Sequence, residues 1–387
     1  MAKSGKRDYA LMGRASARTI AAPPLPYRPR DPKGYRPRIA LIGCGGITES
    51  HLSAYSKAGY SVLALCDLLR ERAEQRRRQF FPKAQVYTDY HDVLARNDID
   101  VVDIATHPEQ RLPIIRDALL AAKHVLSQKP FVVDLSAGRR LVELARRQKV
   151  KLAVNQNGRW APYFAYMRQA IARGLIGRVI SVHLSAHWDH NWIAGTPFEK
   201  VRHIILYDFA IHWFDALSTF ITDRAPTRVY ASFTRSPGQQ ARPALLGQAL
   251  IEYPDAQATL VFDGDVRFGQ EYRNFIAGTQ GVLASGGREL GTQQVMLHTP
   301  RGIARPKLVG NWFNDGFHGT MAELLCAIEE DREPANSAEN NLRSLELCFA
   351  AVAAAETGRP QVPGKIRRPQ GVERADRADR ADKADNG

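Results

Sequence analysis

From residue 38 onward the chain alternates short, almost continuously apolar runs with longer stretches in which apolar residues recur every third or fourth position. The runs lie at 38–42, 61–67, 85–87, 101–105, 124–127 and 151–154. The amphipathic stretches lie at 47–55, 70–80, 91–96, 108–122 and 135–148. Strands apolar on both faces, each followed by a helix, predict a parallel sheet covered on both sides. Residues 38–156 therefore read as an α/β doubly wound domain.

After a helix over 162–173 the texture changes. Residues 179–188 alternate, with Val182, Leu184, Ala186 and Trp188 on one face and His183, Ser185 and His187 on the other. Further strands are predicted at 227–233, 247–253, 257–262, 272–277, 281–285 and 295–297. Turn signals such as Tyr253-Pro254-Asp255 separate them, which predicts an open, mainly antiparallel sheet. Helices at 315–330 and 338–355 close this second, α+β domain over 157–365, with the last one able to pack back on the first domain. Six prolines between Pro23 and Pro37, with Tyr27 and Tyr35 among them, make residues 1–37 an arm that reads as mobile to about residue 22. Beyond it the arm is extended, suited to strapping a neighbouring subunit. Residues 366–387 repeat a three-residue charged unit with no apolar face and read as disordered.

Composition narrows the function classes. The 387 residues carry a net charge of +14, but the first 38 hold ten Lys or Arg against Asp8 and Asp31, so the excess sits mainly in the arm. With no nucleic-acid motif in the body, nucleic-acid binding is not expected. No apolar run is long enough for a membrane span and no secretory leader is evident. Four dispersed cysteines fit reduced thiols, so a cytoplasmic location is expected.

Chemistry concentrates at strand ends. Gly43-Cys44-Gly45-Gly46-Ile47 joins the first strand to its helix, and glycines there let backbone N–H groups approach a pyrophosphate at a helix N-terminus. Asp67, ending the second strand, can accept from ribose hydroxyls and would repel a 2′-phosphate; NAD is favoured over NADP, with Arg70 and Arg72 nearby. Lys129, in Gln128-Lys129-Pro130 after the fifth strand, points into the ligand crevice, where its charge can steady an alkoxide. Asp208 and His212 fall four apart on a predicted helix, which sets a carboxylate and a general base on one face. Trp188 and Trp192, with polar neighbours, suit a polyol ring. Asn157, Arg159 and His203 add polar contacts. Metal binding by His183, His187 and His190 is not expected, because strand alternation turns them apart.

GCGGI, Asp67, QKP and Asp208-x-x-x-His212, in this order and spacing, resemble the Gfo/Idh/MocA oxidoreductases over about residues 36–365. The resemblance implies a Rossmann domain, a mainly antiparallel αβ domain and a substrate pocket between them. It implies Lys129, Asp208 and His212 as catalytic residues, with His212 the acid/base. It further implies a cofactor site of Gly43, Gly45, Gly46, Ile47, Asp67, Thr106, Gln128 and Lys129, and a homo-oligomer, dimer or tetramer. Three positions depart from the pattern. Gln128 replaces the usual glutamate, Arg111 stands where a histidine is usual, and Arg202-His203-Ile204-Ile205 replaces glycines before Asp208, which implies a reshaped pocket. The expected activity is hydride transfer between NAD and a secondary hydroxyl of a sugar, cyclitol or glycoside. Redox-neutral epimerisation or elimination with bound NAD, and a non-catalytic NAD-binding regulator, are the alternatives. Release of NADH separates the first from the expected activity, and absence of turnover marks the second.

Overall fold

The structure, a computed structural model, describes residues 18–370. The first 17 residues of the arm and the charged repeat from 371 lie outside it. The described chain starts with a two-residue strand β1 (Thr19–Ile20), then β2 (Arg38–Ile42), α1 (Thr48–Ala58), β3 (Ser61–Cys66), α2 (Arg70–Phe80), β4 (Gln85–Tyr87) and α3 (Tyr90–Leu94). It continues through β5 (Val101–Ile104), α4 (Pro108–Leu120), β6 (His124–Gln128), α5 (Leu135–Gln148) and β7 (Leu152–Asn155). Strands β2 to β7 form a six-stranded, all-parallel sheet in the order β4-β3-β2-β5-β6-β7. That is the doubly wound order, and it reverses between β2 and β5.

A short 3₁₀ turn at Asn157–Trp160 leads to α6 (Pro162–Ala172) and β8 (Val179–His187); after the π-helical turn Ile204–Phe209 comes α7 (Ile211–Phe220). Then come β9 (Arg228–Thr234), β10 (Leu246–Glu252), β11 (Gln257–Asp263), β12 (Glu271–Gly278), β13 (Gly281–Gly287), β14 (Gln294–Thr299), β15 (Gly302–Ala304), α8 (Trp312–Glu329) and α9 (Ala338–Thr357). The second sheet has nine strands in the order β1-β15-β14-β13-β12-β8-β11-β10-β9, antiparallel except at β8–β11 and β1–β15. Along β8 the alternation is as read: Val182, Leu184 and Ala186 are buried while His183, Ser185 and His187 face outward. Among the described residues no helix is long and apolar enough to cross a membrane.

Three expectations change. Residues 18–22 are not a loose lead-in, since Thr19 and Ile20 pair with Ile303 and Ala304 at the sheet edge. The proline arm then lies along its own chain. Tyr27 packs against Tyr166, the Tyr166 hydroxyl donates to the Pro23 carbonyl, and the N–H groups of Lys33, Gly34 and Tyr35 converge on the Glu329 carboxylate at 2.6–2.8 Å. Extended proline-rich backbone exposes its N–H groups, and one carboxylate gathers three of them. Residues 366–370 are also held, through Leu135 N–H to the Arg367 carbonyl and Arg367 to Asp134.

Both closing helices, not only the last, pack on the first domain. Phe317, Met321, Leu324 and Leu325 of α8, spaced along one face, are fully buried with Leu41, Leu52 and Tyr55. Helix α8 thus covers one face of the parallel sheet beside α1, while α9 packs on α5, α7 and β9. Gly319 makes the approach possible, because a Cβ there would overlap the Trp160 ring at 2.1 Å.

The turn by which the chain enters the second domain is held by a buried ion pair. Arg159, in the turn that follows β7, donates to both carboxylate oxygens of Asp215 on α7 at 2.6 and 2.7 Å, to Asn340 on α9 at 2.7 Å and to the Ala335 carbonyl. Ser344 gives Asp215 a further bond at 2.8 Å. Removing one partner of such a sealed pair strands the other's charge. Asp215→Ala should cost about 3–5 kcal/mol of stability, read from denaturant unfolding.

Candidate active site

Where the strand order reverses, the loops after β2 and β5 diverge and leave a crevice at the carboxyl edge of the sheet. Gly43 has φ +90°, and a Cβ on it would stand 2.9 Å from the Ala105 carbonyl carbon. Only glycine turns the chain there. A Cβ on Gly45 or Gly46 would meet no atom within 4 Å, so these glycines bound open space. Thr48, where a smaller residue is usual, is fully buried, and its hydroxyl donates to the Gly45 carbonyl at 2.6 Å. Helix α1 begins directly from this turn with no side chain capping it at Ile47, which leaves the positive end of its dipole for a phosphate.

Asp67 accepts from the Cys44 N–H at 2.7 Å and the Leu69 N–H at 2.9 Å. A carboxylate offers about four acceptor sites, so two stay available to ribose hydroxyls. A cleft of about 420 Å³ runs from Gly45, Gly46 and Arg76 past His107 to Tyr207 and Asp208. The Thr106 and Tyr207 hydroxyls are buried without a partner. Stranded polar atoms beside an open glycine cradle are what a polar, anionic dinucleotide would satisfy, and the residues fit one.

At the far end of the cleft Lys129 crosses from the first domain to the second. Its Nζ donates to the Asp208 carboxylate at 3.1 Å and to the Asp208 carbonyl at 3.0 Å. Asp208 does not lie on a continuous α-helix with His212. It sits on the π-helical turn, where the Ala210 N–H reaches back five residues to the Ile205 carbonyl, and α7 begins only at Ile211. π-Turns of this kind re-aim side chains. Phe209 then stacks between Trp188 at 4.0 Å and Trp213 at 4.7 Å, which fixes the turn against the second domain's core.

The His212 ring stands edge-on to Trp312 at 5.5 Å. Its Nδ1 is sealed without a partner, whereas Nε2 is neither hydrogen-bonded nor fully buried. Burial holds its pKa well below the ordinary imidazole value, and the Lys129 charge adds to the effect. His212 is therefore neutral at neutral pH.

Behind Lys129 lies a buried polar relay with little sequence signal, because its members look like ordinary helix and strand residues. His51 Nδ1 is 2.7 Å from Asp103, which also accepts from Tyr55 at 2.7 Å. Nε2 of His51 faces the Gln128 amide nitrogen at 3.1 Å and Asn155 at 3.3 Å, and the Gln128 amide oxygen accepts the Lys129 N–H at 2.7 Å. Gln128 thus sits behind the cofactor site and braces the lysine backbone. Arg111 is fully buried and donates to the carbonyls of Thr106, Gln128 and Pro130, tying the two site loops together; burial lowers its pKa to about 10.

Four residues assigned to substrate contact are placed otherwise. Arg159 spends its donors on Asp215, Asn340 and Ala335. His203 is paired to Glu356 at 2.5 Å and packed on Phe233. Asn157 accepts the Trp312 indole N–H at 2.8 Å, so it positions the ring beside His212. Trp188 is buried in the aromatic stack, leaving Trp192, 59% exposed, at the rim. His183 and His187 are engaged with Thr259 and Asp263, away from His190. Tyr207 also lines the cleft, and His190 packs on Phe209 beside Asp208.

A family model described as "Oxidoreductase family, NAD-binding Rossmann fold" matches residues 37–156, and one described as "GFO/IDH/MocA C-terminal domain" matches residues 164–284. The chain is 26% identical to D-apiose dehydrogenase of Paraburkholderia graminis over 83% of its length and 88% of that protein. It is 25% identical to inositol 2-dehydrogenase of Rhizobium meliloti over 81% of its length and 96% of that protein. The fold superposes with TM-score 0.76 and 22% identity on an oxidoreductase from Agrobacterium radiobacter in complex with NAD+, L-tartaric acid and magnesium, covering 85% of this chain and 99% of that one. With both halves of the molecule matched and an NAD cradle at the sheet reversal, the chain belongs to the Gfo/Idh/MocA family of NAD-binding oxidoreductases.

Proposed function

We propose that this protein interconverts a secondary alcohol and a ketone on a sugar, cyclitol or glycoside, with NAD as redox partner. The observation that carries the reading is the Lys129–Asp208 contact at 3.1 Å across the domain cleft, beside a histidine kept neutral. NAD, held by the glycine turn at Gly43–Gly46 and by Asp67, would supply the hydride acceptor or donor. Lys129 donates to the substrate oxygen and steadies its negative charge, while Asp208 aims the ammonium and accepts from a neighbouring hydroxyl. His212 takes the hydroxyl proton on Nε2. The names of the two relatives, acting on a branched sugar and a cyclitol, support this substrate class.

Two copies pair through the outer face of the nine-stranded sheet, where Ile180, Tyr230, Leu250 and Phe275 are each more than a third exposed. A sheet face with this much apolar surface is suited to a partner.

A screen of NAD reduction against sugars, inositols and glycosides should find turnover with stoichiometric NADH release. His212→Ala should lower kcat by about a hundredfold or more while calorimetric NAD affinity is retained; unchanged turnover removes His212 from the role. Because a lowered histidine pKa keeps the base unprotonated as pH falls, the acid limb of kcat/KM should lie below about 6.5. Lys129→Met should move that limb upward, though not to the ordinary value, since burial remains. Leu250→Glu with Phe275→Glu should convert a dimer or tetramer to monomer in light scattering.

A further inference from the structure

His190 is a short-range anomaly in the second domain. Both nearby tryptophans turn their indole N–H groups onto its Nδ1, Trp188 at 2.9 Å and Trp192 at 3.3 Å. An indole N–H is a donor only. Nδ1 must therefore present a lone pair, and the neutral ring must carry its proton on Nε2. Protonating Nδ1 would set three N–H groups against one another, so the same contacts resist the charged form.

The ring cannot easily swing away. Its backbone N–H donates to the Gly264 carbonyl at 2.8 Å, and its ring packs at a steep angle on Phe209, 5.4 Å between centroids, inside the aromatic stack that carries Asp208. Nε2 has no partner among the described residues and is not one of the polar atoms stranded by burial, so it meets solvent. The ring stands beside the cleft of the proposed trio, between Phe209, which adjoins the cleft-lining Asp208, and Trp192, at 5.2 Å, which packs on the cleft-lining Phe198. Burial carries the pKa down to about 4, Asp208 opposing and Lys129 reinforcing the shift. The charged groups around the ring are Asp208, Lys129 and Asp189, beside the two indoles, and none of them hydrogen-bonds Nε2.

We propose that His190 is a specificity-determining residue: a neutral imidazole fixed as an Nε2–H donor, which selects substrates carrying an oxygen acceptor close to the reacting carbinol. The inference rests on the sugar oxidoreductase reading and deepens it. Lys129 and His212 serve the reacting oxygen, and His190 serves a second one. A substrate with a methylene in that place leaves a donor unpaired in a partly dry site, a larger loss than the bond itself is worth. Trp192 and Phe198, ring centroids 5.5 Å apart and both partly exposed, form the rim outside this donor.

The test uses the NAD-loaded protein and the polyol that turns over fastest in the screen, together with its monodeoxy analogues. Wild type should disfavour one analogue by about ten- to a hundredfold in kcat/KM. His190→Phe should erase that preference through KM for the parent polyol, with kcat changed far less than by His212→Ala. His190→Asn should restore part of it. Nitrogen-15 NMR of the same protein should place the His190 proton on Nε2 at both pH 5 and pH 8, and Trp188→Phe with Trp192→Phe should release the lock. Discrimination that persists in His190→Phe, or a proton found on Nδ1, overturns the assignment. No turnover of any polyol by wild type overturns the oxidoreductase reading beneath it instead.

Discussion

The site depends on one contact across the domain boundary, the Lys129 ammonium held by both the side chain and the backbone carbonyl of Asp208. A strand end supplies the cation and a π-turn supplies its two acceptors, so neither domain holds the arrangement alone. Everything that fixes the relative pose of the domains therefore bears on the chemistry. The Arg159–Asp215 pair locks the turn after β7 to α7, α8 covers the parallel sheet from the far end of the sequence, and Arg111 ties the loop after β5 to the lysine's own loop.

Behind the lysine the buried relay explains how a neutral residue serves at position 128. With Nδ1 of His51 donating to Asp103, its Nε2 is an acceptor, and the Gln128 amide N–H donates to it while the amide oxygen accepts from the Lys129 N–H. An amide is both donor and acceptor, which a carboxylate is not. Glutamine here satisfies every neighbour without a second buried charge beside Asp103.

Local pattern made the parallel sheet, most strands of the second sheet, the glycine cradle and the residues at strand ends legible. These follow from period, turn chemistry and position. What stayed hidden is non-local. Two-residue β1 and three-residue β15 have no period of their own; β15 forms between β14 and β1, and β1 forms against β15. An i,i+4 pair looks the same in sequence whether the backbone is α or π, so the turn under Asp208 was invisible. Arg159 and His203 read as binding residues because a polar side chain near a pocket gives no sign of its partner; Asp215 and Glu356 lie 56 and 153 positions away. His190 gives no sign of its surroundings in sequence, since the convergence of two indoles on one nitrogen needs three dimensions.

The central claim is that the Lys129, Asp208 and His212 arrangement moves hydride from a carbinol carbon to NAD. The most direct measurement follows isotope: a polyol deuterated at the reacting carbon is incubated with the enzyme and NAD, and the released cofactor is analysed by mass spectrometry and NMR. The account predicts one deuterium per turnover at C4 of NADH with ketone as the other product. Deuterium lost to water, or retained in the sugar with no labelled NADH, would contradict it.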